Sequence, residues 1–201
     1  MILSSAIRQS ADVFANRAVE ELLAHFATTL PPAAREELSI SKRLKSENSI
    51  SAKMQRRRDY TVVNDFIGIR IVVLHVGLVT NAVAMVKAWA ESSGLILHEQ
   101  DDRFQTPGLA MYRSVHLDFR FLNPERLGLT PRCGIEIQIT TFLQRFHEVF
   151  SHALLYKEYA DANANGPIVE RLTLLSEQLA SIDYFASELL PSGSALADKR
   201  R

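Results

Sequence analysis

The chain has 201 residues, 47% of them hydrophobic, and 23 Lys plus Arg balance 23 Asp plus Glu. That length suits one domain of ordinary size with helical appendages, and zero formal net charge excludes nucleic-acid or membrane binding by bulk electrostatics while leaving room for a local basic patch. No apolar run reaches the roughly 18 residues of a membrane span, the N-terminal M-I-L-S-S-A-I-R-Q-S lacks a signal-peptide pattern, and the lone cysteine, Cys133, sits among apolar residues, so a reduced, cytoplasmic compartment is expected.

Residues 5–28 read as an amphipathic helix with Val13, Phe14, Leu22, Leu23 and Phe26 on one stripe, ended by Pro31-Pro32. Residues 38–45 alternate weakly as a strand, and Ser49 is placed to cap a helix over 50–58. Residues 67–74, I-G-I-R-I-V-V-L, predict a strong strand and 79–91 a helix. A short strand is expected at 95–98, a polar loop at 101–108, and a half-buried strand over 112–121. Residues 133–140 form an apolar alternating strand. Thr141 then opens a helix to 159, residues 160–166 link, and a last amphipathic helix spans 168–190 before a frayed tail. The pattern is α+β, a mixed sheet flanked by helices with additional N- and C-terminal helices. It divides into an N-terminal helical segment over 1–37, a central domain over 38–160 and a C-terminal helix and tail over 161–201.

The chemistry collects at four places. Glu136 and Gln138 share one face of a strand whose other face carries Ile135, Ile137 and Ile139. An acidic group on a β-branched strand needs a reason, and a Mg²⁺-bound phosphate supplies one; the outer face of an edge strand is the bland reading. Arg43 and Lys45, with Ser49 and Lys53 on the first turn of a helix, make a polyphosphate site or, as spacing alone slightly favours, a solvated basic face. Asp65 precedes a buried strand and reads as a metal ligand or a turn residue, while Arg70 within that strand must meet a carboxylate or a phosphate. Tyr112, Ser114 and His116 share a face, suited to stacking a base or to a core tyrosine beside a satisfied histidine. His152 and Lys157 follow on the next helix.

The order of these blocks carries a resemblance. R-x-K-x-x-x-S-I-x-x-K-M, D-x-x-G-I-R, Y-R-S-x-H, E-I-Q-I-x-T and H-x-x-x-Y-K together resemble the RelA/SpoT-type alarmone synthetase domain, from about Leu38 to Lys157. The resemblance implies a nucleotidyltransferase-like mixed sheet and transfer of the β,γ-pyrophosphate of ATP to the 3′-hydroxyl of a purine nucleotide, GDP or GTP first, giving (p)ppGpp. It implies ATP binding by Arg43, Lys45, Ser49 and Lys53. Asp65 and Glu136 would hold Mg²⁺, with Glu136 deprotonating the hydroxyl. The acceptor would meet Tyr112 by stacking, Gln138, His116 and Arg70.

Two departures stand out. Thr140 replaces the arginine of E-I-Q-I-R-T, and Gly108, Ala110 and Met111 offer no side-chain donor to a guanine, which keeps adenine nucleotides and the 3′-end of tRNA as alternative acceptors. No H-D-x-x-E-D hydrolase motif accompanies the synthetase blocks, so the chain reads as a synthetase only, regulated otherwise or a toxin with an antitoxin or immunity partner. The terminal helices offer apolar faces for such a partner or for a homo-oligomer. A catalytically inactive nucleotide-binding module is the reading from a different class. A generic nucleotidyltransferase is disfavoured by the lack of a D-x-D pair near a Gly-Ser turn.

Overall fold

Ile67, Ile69 and Ile71 alternate along one strand, Ile135, Ile137 and Ile139 along another, and the two strands lie side by side in parallel, pairing Ile69 with Ile137. The computed structural model describes residues 4–56, 62–104, 113–156 and 166–190. Its strands are β1 (Ser39–Leu44), β2 (Val63–Val73), β3 (Leu95–Asp102), β4 (Val115–Phe121) and β5 (Cys133–Thr141). Their order in the sheet is β1-β2-β5-β4-β3. Only β2 and β5 run parallel; β1–β2, β5–β4 and β4–β3 are antiparallel.

Period-two alternation gives the sheet one apolar and one polar face. The apolar face, with Leu117 and Phe119 of β4 joining the isoleucines, is buried beneath helices α1 (Ser5–Thr29) and α4 (Val79–Ser92). Phe14, Leu22 and Phe26 of α1 and Val86 and Trp89 of α4 belong to that core. Phe14 meets Phe121 edge to face at 4.9 Å, an arrangement aromatic quadrupoles favour. Polar ties fix α1 in place: Trp89 Nε1–H donates to Glu21 at 2.9 Å, and Lys42 of β1 pairs with Asp12. The short helices α2 (Pro32–Glu36) and α3 (Glu47–Arg56) flank β1 in the chain.

Helix α5 (Phe142–Tyr156) leaves β5 directly, with Thr141 Oγ1 accepting the Gln144 N–H at 3.3 Å as expected of a cap. Helix α6 (Gly166–Leu189) packs along α5 and is fastened through Asp183, which accepts the Val76 N–H at 2.8 Å and the Thr141 hydroxyl. His147 of α5 meets the Leu172 carbonyl of α6 at 2.9 Å. No helix among the described residues is long and apolar enough to cross a membrane.

Three local boundaries differ from the sequence expectation. Strand β2 starts at Val63 because a register shift between Val63 and Ile67 lets the chain resume pairing with Cys133. Only glycine suits position 134 there, since a Cβ would stand 2.7 Å from the Asn64 backbone. Strand β3 extends to Asp102 despite its polar sequence, because backbone pairing with β4 sustains it. Helix α3 is capped by Ser46, whose Oγ accepts the Ser49 N–H at 3.3 Å, so Ser49 lies inside the first turn rather than at the cap.

Candidate active site

The polar face of the sheet is where the expected residues meet. The cross-strand register aligns Arg43 with Gly68, Gly68 with Glu136, and Glu136 with Asp118; one step along, Arg70 pairs with Gln138 and Gln138 with His116. A pocket opens here, lined by Ser41, Arg43, Gly68, Arg70, Glu136 and Gln138. Gly68 is small for a reason: a Cβ there would lie 3.1 Å from Arg43 Cγ, so its absence lets the arginine lie across β2 toward Glu136.

Glu136 is held from two sides. Its Oε1 lies 3.1 Å from His116 Nδ1, and its Oε2 accepts the Gln138 Nε2–H at 2.6 Å. Burial pushes its carboxyl up, but the hydrogen bond and charge of His116, then the Gln138 bond, outweigh burial and the nearby Asp65 charge. The net direction is down, so Glu136 is ionised at neutral pH. An ionised carboxylate only accepts, which makes His116 Nδ1 the donor.

Lys45 and Asp65 form an ion pair where β1 ends and β2 begins. Asp65 is also near enough to Glu136 for its charge to oppose Glu136 ionisation. Asp65 and Glu136, on the neighbouring strands β2 and β5, offer the hard oxygen donors that would suit Mg²⁺. Among the described residues no group of three or more His, Cys, Asp or Glu is placed to hold a metal ion.

Ser49 is exposed on α3, its Oγ 2.8 Å from Ser46 Oγ. Lys53 falls on α3 with its side chain outside the description, and Tyr112, Gly108, Ala110, Met111 and Lys157 lie outside the described residues. Thr140 follows Glu136 and Gln138 on the same face of β5 but is fully buried, and it donates to the Arg113 carbonyl at 3.1 Å. His152 is exposed on α5.

Arg70 meets the carboxylate its burial called for. Its Nη2 donates to Glu148 of α5 at 2.6 Å and to Gln138 Oε1 at 2.8 Å. Sequence reasoning missed Glu148, although it is the one acid on α5 and Arg70 demanded a partner. Asp118 was missed too. It accepts the Asn64 Nδ2–H at 3.0 Å, and its carboxyl is pushed up by burial, with the charges of Glu136 and Glu99 adding to the effect.

Comparisons with known proteins bear on the family and the fold. The family described as "Region found in RelA / SpoT proteins" matches residues 42–161. The fold is shared with small alarmone synthetase 2 of Bacillus subtilis, at 23% identity and a TM-score of 0.69, covering 89% of this chain and 94% of that one. Small alarmone synthetase 1 of Bacillus subtilis, solved with its product pppGpp, is similar at 21% identity and a TM-score of 0.68, covering 92% of each chain. A GTP pyrophosphokinase family protein from Streptococcus pneumoniae reaches a TM-score of 0.71 at 19% identity, covering 90% of this chain and 89% of that one. No curated protein sequence matches. With more than half of its length inside that family match, the chain belongs to the RelA/SpoT family and is a nucleotide pyrophosphokinase of the GTP diphosphokinase type.

Proposed function

We propose that the protein moves the β,γ-pyrophosphate of ATP to the 3′-hydroxyl of a guanine nucleotide, GDP or GTP. In this reading the acceptor 3′-oxygen attacks the β-phosphorus of ATP, the bond from that phosphorus to the α,β-bridging oxygen breaks, AMP leaves, and Glu136 takes the hydroxyl proton. The observation that carries it is Glu136 itself: an ionised carboxylate, fixed by His116 and Gln138, lining an open polar pocket beside Arg43. A positioned base of this kind contributes about 10²–10⁴-fold to a proton transfer.

The donor is densely anionic, and Arg43, Lys45, Ser49 and Lys53 are assigned to it. Asp65 and Glu136 are assigned to Mg²⁺, which when bound would offset charge on the phosphate oxygens. Apart from that ion, the work falls to the chain: Gln138 and Arg70 support the acceptor side, and Tyr112 stacks on the acceptor base.

One observation favours a second reading, an adenine nucleotide or the 3′-end of tRNA as acceptor. The arginine expected at position 140 is a buried threonine bonded to the Arg113 carbonyl, so that position gives the acceptor no cation. Incubation with γ-labelled ATP, Mg²⁺ and separately GDP, GTP, ADP, AMP or deacylated tRNA decides between them. Label on a guanine nucleotide supports the first reading. Label only on an adenine nucleotide or tRNA supports the second, and transfer to none would leave a binding module.

A further inference from the structure

Four side chains form one relay across three elements. Glu148 of α5 uses both oxygens, Oε2 for Arg145 Nη1 at 2.5 Å and Oε1 for Arg70 Nη2 at 2.6 Å. Arg70 of β2 then reaches Gln138 Oε1 at 2.8 Å, and Gln138 Nε2 reaches Glu136 Oε2 at 2.6 Å. All four are shielded, with side-chain exposures of 24% for Glu148, 19% for Arg70 and 17% for Glu136 among them.

The polarity of this relay follows from the donor inventory. A guanidinium has only donors and an ionised carboxylate only acceptors. A carboxamide between them has one low-energy orientation, oxygen to arginine and nitrogen to carboxylate. Flipping it would set donor against donor and acceptor against acceptor, losing two hydrogen bonds, each to a charged partner. Glu136 and Arg70 both enforce this orientation, and Arg70 is the group that ties down the carboxamide oxygen. Arg70 is a long side chain, and its charge-paired anchor is Glu148.

We propose that Glu148 is a positioning residue for pyrophosphate transfer: it anchors Arg70, which pins the Gln138 carboxamide by its oxygen and so steadies the N–H that the same group gives to Glu136. The proposal rests on Glu136 being the base of the transfer. It assigns α5, which touches neither phosphate nor hydroxyl in that reading, a part in holding the reacting group. The opposing account is competition, in which Glu148 occupies Arg70 at the expense of an incoming phosphate.

The test is a double-mutant cycle with a spectroscopic arm. Glu148→Ala is expected to lower kcat by about tenfold to a hundredfold, the scale of loss from a misplaced reacting group, with the KM for ATP unchanged. Glu148→Gln keeps an oxygen for Arg70 and should recover most of the rate, which also guards against a folding defect in the alanine variant. In a Gln138→Ala background, Glu148→Ala should cost nothing further. Equal losses in both backgrounds, or a fall in the acceptor KM on removing Glu148, would overturn the proposal. The side-chain amide pair of Gln138 in ¹H–¹⁵N spectra, assigned by its loss in Gln138→Ala, should collapse toward free-amide shifts in Glu148→Ala; an unchanged pair also overturns it. That reading needs no turnover, so wild-type inactivity toward every acceptor would count against the function and leave the relay separately decided.

Discussion

Gln138 stands two residues beyond Glu136 on the same face of β5 and donates its Nε2–H to Glu136 Oε2 at 2.6 Å. A strand puts alternate residues within reach of one another, so the residue that supports the carboxylate is supplied by the same element that carries it. The Glu-x-Gln spacing is thus a geometric unit, and its consequences can be measured.

Glu136→Gln keeps the shape of the side chain and removes its charge. Transfer is expected to fall by at least 10²-fold, the lower range for a lost general base. The melting temperature and calorimetric ATP affinity should stay close to wild type. Retained turnover would remove Glu136 from the role of base.

Asp65→Asn deletes the charge that faces Lys45 and bears on Glu136. Activity should then require about tenfold more Mg²⁺ to reach half-maximum, as losing one of two carboxylates weakens a hard-cation site. A Mg²⁺ titration superimposable on wild type would contradict the metal role of Asp65.

Gly68→Ala tests the pocket from its floor. The new methyl would press on Arg43 Cγ and Nε, at 3.1 and 3.2 Å, and these belong to a side chain free to swing away. Arg43 should be displaced from beside Glu136 and the KM for ATP should rise by about threefold to tenfold. Stability should change by less than about 1 kcal/mol, since alanine also restricts the unfolded chain. A stability loss with an unchanged KM would mean that Arg43 does not serve the donor.

Acid should loosen the α5–α6 side of the molecule. Burial holds the His75 imidazole below its usual range against the charge of Asp183, and burial holds His147 down with the Arg113 charge adding to it. Folded values below the unfolded value of about 6.5 mean that the unfolded chain binds more protons. The stability these two histidines contribute is complete above that pH and is lost as pH falls through the lowered folded values. Asp183 acts oppositely: burial raises its carboxyl, so its protonated form adds stability that disappears as pH rises through the raised value. Thermal melts from pH 7.5 to 5 should show a declining midpoint, with a shallower slope in His147→Phe. An identical slope in that variant would exclude His147 as a contributor.

Much of this was legible from residue order. The isoleucine alternation of β2 and β5 announced a buried face, and the same alternation forced Glu136 and Gln138 onto the other one. Arg70 asked for a counter-charge before any partner was known. What stayed hidden depends on contacts between distant segments. Glu148 acquires meaning only when α5 reaches β2, joining residues 78 positions apart. The extent of β3 could not be read because Ile96 and Leu97 are exposed and the strand is held by its backbone rather than by its side chains. Ser46 and Ser49 are both good caps, and only the placement of the first turn chose Ser46.

The parallel pairing of β2 with β5 has a kinetic meaning. Gly68 and Glu136 become neighbours only after α4, β3 and β4 have been made, and closing so long a stretch of chain is slow compared with forming helices or hairpins. The Glu136 carboxylate and the pocket around it therefore have no existence in a half-made protein. A chain emerging from the ribosome cannot spend ATP until nearly all of its sheet has assembled, and the onset of turnover during refolding would report the last strand pairing rather than the first.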